Sequence, residues 1–208
     1  MIVYLHGFNS TSQSKKAAFL SDYLAVRGWA DQYACPDLPH WPAEAIAAIE
    51  RTISTAKAAQ PSRPITLLGS SLGGFYATYL AERLDLRAVL VNPAVSAERD
   101  LGKYLGPQQN LYSGERYVLT DAHLRQLEAL VVPAITPARY LLVVETGDEV
   151  LDYRDAVTRY AGAQQVVVSG GDHTLQSFAQ HLPRIFAFAT MDVPITPTDR
   201  PLKYLDPN

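Results

Sequence analysis

One cysteine, Cys35, stands in a chain of 208 residues. It cannot close an internal disulfide, and this fits a reducing compartment. No apolar run approaches the roughly 18 residues of a membrane span. The start, Met1-Ile2-Val3-Tyr4-Leu5, is apolar but too short for a signal peptide and carries no positive segment before it. Charge of one sign is missing too. Lys and Arg number 18 against 21 Asp and Glu, and the two signs are interspersed. No basic stripe points to nucleic acid, and no acidic block points to a disordered tail. The five histidines are scattered, with no H-x-H or H-E-x-x-H spacing, so no metal site is expected. These absences lead to the expectation of a cytoplasmic protein without a membrane span.

What is present is apolar and rhythmic. Hydrophobic residues make up 48% of the chain, enough for a sizeable core in one α/β domain. Short apolar runs alternate with helix-like segments, the pattern of a parallel sheet with crossover helices. Strands are expected at residues 2–5, 33–35, 65–68, 88–91, 140–145 and 165–168. Helices are expected at about 14–26, 42–59, 72–83, 121–130 and 175–188. The fold class is therefore α/β, a mostly parallel sheet of about six strands flanked by helices.

Two segments break the rhythm. Residues 96–137 contain no convincing strand, but hold Tyr104, Leu111, Tyr112 and Tyr117 and a helix after Asp121. So long an insertion reads as a helical cap over the site, or as a helical connection covering one face of the sheet, and the two are compatible. Residues 191–208 carry Pro194, Pro197, Pro201 and Pro207 and read as an extended tail on a single 1–190 domain.

The stretch Gly69-Ser70-Ser71-Leu72-Gly73 has the G-x-S-x-G form in one register only, with Ser71 at its centre. An elbow serine sits on a strained strand-to-helix turn, where side chains two places before and after would collide with neighbours. A strand directly before and a helix directly after are what the motif requires. No lysine follows the glycines, so it is not a P-loop. The G-x-G-x-x-G spacing of a dinucleotide site is absent as well.

A serine hydroxyl needs a histidine base, and that base needs a carboxylate. In the α/β-hydrolase order the serine comes first, then Asp or Glu, then His. His6 and His40 precede Ser71, His123 lies in the cap helix, and His181 lies inside the last helix. His173 alone follows a strand in a glycine-flanked loop. Asp148, in Thr146-Gly147-Asp148, ends the penultimate strand at the same sheet edge and is the favoured acid. Asp152 reads better as a helix N-cap, Glu149 points differently, and Asp172 adjoins His173 too closely in sequence. The oxyanion donors are expected to be the backbone N–H groups of Leu72 and of Phe8, in the His6-Gly7-Phe8 loop. His6 is expected to support that loop. Trp41, Tyr104, Leu111 and Tyr112 could line an apolar pocket, although core packing explains them equally well.

The segments "IVYLHGFNST", "LLGSSLGGFYATYLAE", "VLVNPAV", "NLYSGERYVLT", "ETGDEVLDYRDA" and "GGDHTLQSF" lie in order within about residues 2–185. With them the chain resembles the α/β-hydrolase superfamily, and within it the small bacterial YqiA/YcfP-type esterases. The resemblance implies an α/β-hydrolase fold with Ser71, Asp148 and His173 as triad. It further implies esterase or acyl-thioesterase activity without metal or organic cofactor. Two positions depart from that pattern: Asp172 stands where the family more often has Asn, and Leu175 where it has an aromatic. The expected substrate is a small-molecule ester or thioester, cleaved through an acyl-enzyme. The same triad acting on amide or carbon–carbon bonds, or a non-catalytic binder that keeps the fold, are the alternatives.

Overall fold

The structure is a computed structural model that describes residues 1–191. Its centre is a parallel sheet of six strands: β1 (Ile2–Leu5), β2 (Tyr33–Ala34), β3 (Thr66–Ser70), β4 (Arg87–Val91), β7 (Tyr140–Glu145) and β8 (Gln164–Val168). The order is β2-β1-β3-β4-β7-β8. The helices α1 (Lys15–Ala25), α2 (Pro42–Ala59), α3 (Leu72–Leu84), α6 (Tyr153–Arg159) and α7 (Phe178–Phe188) connect or follow the strands.

Strand alternation splits the core in two. Val3, Leu5, Leu67, Leu90, Leu142 and Val144 face α2, α3 and α6. Their neighbours Ile2, Tyr4, Leu68, Val89, Val91, Leu141 and Val143 face α1 and α7. Successive side chains point to opposite faces of a strand, so a strand covered on both sides is apolar throughout. That is why the central strands read as unbroken apolar runs. The chain after β1 turns into α1 on one face, and the chain after β3 turns into α3 on the other. The two loops diverge at the C-terminal edge and leave a crevice between them, where ligands bind in open parallel sheets.

The insertion between β4 and β7 carries helices, α4 (Ala97–Gly102) and α5 (Asp121–Glu128), as the sequence suggests. It also contains strands, which the sequence reading did not expect. An antiparallel hairpin of β5 (Gly106–Gln109) and β6 (Arg116–Leu119) lies between the two helices. The reason it was missed is compositional: β5 reads Gly-Pro-Gln-Gln, with neither β-branched residues nor apolar alternation. The proline-rich tail beyond Met191 lies outside the described residues.

Candidate active site

Ser71 sits at the turn from β3 into α3 with φ 55° and ψ −123°, a conformation that L-residues rarely adopt. The strain is enforced by packing. A side chain on Gly69 would strike the Gly73 carbonyl, and one on Gly73 would strike the Leu5 carbonyl. The backbone of Ser71 is pinned by its N–H to Val91 O (3.1 Å) and by Ala94 N–H to its own carbonyl (3.0 Å).

His173 follows β8 and Asp148 follows β7. His173 Nε2 lies 3.0 Å from Ser71 Oγ, and its Nδ1 lies 2.9 Å from both Asp148 oxygens. Asp148 Oδ1 also accepts from the Val150 and Leu151 N–H groups, each at 2.9 Å. A carboxylate held this way has one orientation, and it sets the Nδ1–H tautomer that leaves Nε2 free to accept from serine. The Asp148 side chain is 1% exposed, so little water competes for that contact.

The other acids do different work. Asp152 caps α6, accepting from Arg154 N–H. Glu149 Oε2 accepts from the His173 N–H at 3.0 Å. Asp172 Oδ1 accepts from the Thr174 N–H and hydroxyl. Burial opposes ionisation of Asp172, but the Thr174 and Gln176 hydrogen bonds outweigh it and hold its carboxyl below the usual range.

Sequence reasoning missed two residues that hold the His173 loop. Glu145, 1% exposed at the end of β7, accepts from Asp172 N–H and Gln176 N–H on one oxygen and from Ser177 N–H and Oγ on the other. Gly171, at φ +73°, has no room for a Cβ because that carboxylate occupies the space. Asn92, at the end of β4, donates to the Asp172 and His173 carbonyls and accepts from the Glu145 N–H. A glutamate ending an apolar strand was the available signal. From α1, Lys16 Nζ donates to Thr174 O at 2.7 Å. Burial pushes its ammonium down to about 8, against the opposing pull of Asp172, Glu145 and Asp148.

The loop after β1 runs beside the serine. A Cβ on Gly7 would stand 3.2 Å from Ser71 Cβ. His6 beneath it is buried, donating from Nδ1 to Gly7 O and accepting at Nε2 from the Leu38 N–H. Phe8 and Leu72 both line a cavity of about 510 Å³ that opens onto Ser71 and His173. Tyr104, Leu111 and Tyr112 line the same cavity. Trp41 does not: its ring is stacked on His123 at 3.7 Å, under the insertion. An aromatic at the start of α2 packs against whatever helix covers it, and here that helix is α5. Among the described residues no group of three His, Cys, Asp or Glu side chains could hold a metal ion.

A family model described as "Uncharacterised protein family (UPF0227)" matches residues 1–190. The chain belongs to the UPF0227 family. A UPF0227 protein of Pectobacterium carotovorum is 25% identical over 92% of this chain and 99% of its own. The UPF0227 protein YcfP of Salmonella arizonae is 24% identical over the same shares. Among solved structures, Est1E from Butyrivibrio proteoclasticus superposes with TM-score 0.63 at 16% identity, covering 91% of this chain and 85% of that one. A structure from work on the metagenome-derived lipolytic enzymes LipS and LipT superposes with TM-score 0.64 at 18% identity, covering 91% and 92%. At such identities the likeness establishes the fold, and the fold of this UPF0227 member is that of the α/β-hydrolases.

Proposed function

We propose that this protein is a serine hydrolase that cleaves small carboxylic esters or thioesters through an acyl-enzyme, with Ser71, His173 and Asp148 as its triad. The observation that carries this reading is the unbroken chain Ser71 Oγ–His173–Asp148, at 3.0 and 2.9 Å. It lies on a strained elbow at the mouth of a cavity. A plain strand-to-helix turn has no need of that strain or of a histidine aligned with its serine. Fold neighbours described as esterase and lipolytic enzymes support the same chemistry.

In the first half-reaction Ser71 Oγ attacks the substrate carbonyl carbon and its proton passes to His173 Nε2. Asp148 holds the imidazolium. The Phe8 and Leu72 N–H groups bind the oxyanion, a contribution of ~3 kcal/mol per donor in comparable sites. Collapse breaks the bond to the alcohol or thiol, which leaves with the proton from Nε2. In the second half-reaction water gives its proton to His173 and attacks the acyl carbon. The acid departs and the proton returns to Ser71 Oγ. The single, half-buried Cys35 has its thiol pushed up to about 12 by burial, so it takes no part as a nucleophile. The lone cysteine also supports a cytoplasmic site of action.

Ser71→Ala is expected to lower kcat by at least ~10⁴ with the fold retained. A fluorophosphonate probe is expected to label Ser71 in wild type and nothing in the variant. Normal turnover by the folded variant refutes the assignment.

A further inference from the structure

The insertion touches the loop that carries the proposed oxyanion donor through its backbone and through side chains. Leu111 N–H donates to Asn9 O at 3.1 Å, and Asn110 Nδ2 donates to Ser10 O at 2.9 Å. Tyr117 Oη, on β6, donates to Asn9 Oδ1 at 2.8 Å. Asn9 Nδ2 donates to Gln108 Oε1 on β5 at 3.1 Å. The Phe8 ring packs on Tyr104 with centroids 6.0 Å apart. Asn9 is held at φ 52°, a region in which most side chains are strained. Both ends of its amide are thus engaged by the hairpin, one residue beyond Phe8.

We propose that Tyr117 and Asn9 are positioning residues: the β5–β6 hairpin braces the oxyanion loop, holding the Phe8 N–H at the place where negative charge develops. The inference rests on the hydrolase reading above. An oxyanion donor works only within a narrow distance of the developing charge, and a loop displaced by a fraction of an ångström loses rate without losing substrate affinity. The insertion in this view is a fixed buttress. Tyr117 is itself fixed, stacked on His40 at 4.2 Å and 13°. Burial pushes its hydroxyl up to about 12, so it remains a donor throughout the working range. The tip of the same hairpin presents Leu111 and Tyr112 to the cavity, so one element serves both substrate contact and loop geometry.

The test compares Tyr117→Phe with wild type on 4-nitrophenyl butyrate. Val118→Ala, at an exposed position on the same strand, is the control. Tyr117→Phe is expected to lower kcat about tenfold while KM stays within twofold. A trifluoromethyl ketone, which becomes an oxyanion when Ser71 adds to it, should bind more weakly by the same factor. Amide hydrogen exchange over residues 7–10 should quicken at least tenfold. Val118→Ala should change none of these. If Tyr117→Phe does not fold, Asn110→Ala removes the neighbouring tie to Ser10 and should give the same pattern at about threefold. Unchanged exchange over residues 7–10 overturns the brace, and so does quickened exchange with unchanged kcat. A rise in KM with unchanged inhibitor binding would make Tyr117 a pocket residue only, and overturns it too. A wild-type protein that neither turns over esters nor labels at Ser71 fails earlier, on the hydrolase reading, and takes the brace down with it.

Discussion

Glu145 shows how much of the site rests on one residue outside the reacting chain. Its two oxygens together take four hydrogen bonds from the His173 loop, and hydrogen bonds to a buried carboxylate are among the stronger ones. Glu145→Gln keeps the shape but turns an amide N–H₂ toward N–H donors. The expected loss is about 2–3 kcal/mol in urea unfolding, with a lowered kcat from a displaced His173. Wild-type unfolding by the variant would show that the clamp carries no load. Ser71, the proposed nucleophile, stood out in the sequence because two glycines mark a serine between them, and His173 stood out because it follows a strand in a glycine-flanked loop and comes after Ser71 in the chain. Glu145 was not, because a carboxylate ending a strand has the same composition whether it meets solvent or a loop folded over it.

At the level of elements, β1, β3 and α3 are locked together by the absence of side chains. Gly73 lies against the Leu5 carbonyl, so β1 and the first turn of α3 are closer than any Cβ permits. Gly73→Ala is expected to destabilise the protein by about 3 kcal/mol or more, since the obstacle is backbone and cannot rotate away. Thermal unfolding measures it, and a variant as stable as wild type would show that the contact relaxes freely. The central strands were readable because their burial on both faces demands continuous apolar sequence. The hairpin was not readable, because its stability comes from docking. β5 has poor strand propensity, and its anchors, Asn9 and Ser10, lie about a hundred residues away in the chain. Trp41 follows the same logic: its place just before the helix at 42–59 was evident, but the choice between a pocket wall and a partner for His123 belonged to α5.

For the whole molecule, three histidines contribute to the response to acid. Burial lowers the pKa of His6, of His123 and of His181 below the ordinary value of 6.5. For His123 the neighbouring His40 lowers it further. For His6 the Gly7 carbonyl and Asp37 act against burial. For His181, Glu145 acts against it and Arg184 with it. Each is therefore neutral in the fold at a pH where the unfolded chain is already protonated. A depressed folded pKa means stability that is full above 6.5 and falls as the pH drops below it. His123 makes the cause visible: Nδ1 accepts the Thr120 N–H at 3.1 Å and Nε2 faces His40 Nδ1 at 3.0 Å, so a proton on Nδ1 breaks the cap of α5. The urea midpoint is expected to be lower at pH 5 than at pH 7.5, with a smaller difference in His123→Asn. Equal midpoints at the two pH values would contradict it.

Sequence alone determined the parallel α/β sheet, the register of the serine elbow, and the chain positions from which Asp148 and His173 enter. The sheet and the elbow follow from local periodicity and from glycine, whose steric meaning is the same in any context, while Asp148 and His173 were chosen by the serine–acid–histidine order and by their places after strands. Only the tertiary structure decided that Glu145 and Asn92 clamp the histidine loop, that Trp41 packs outside the cavity, and that a hairpin with one strand of poor strand formers grips Asn9. Those depend on contacts between segments far apart in the chain, where each partner's role is set by what the fold brings against it.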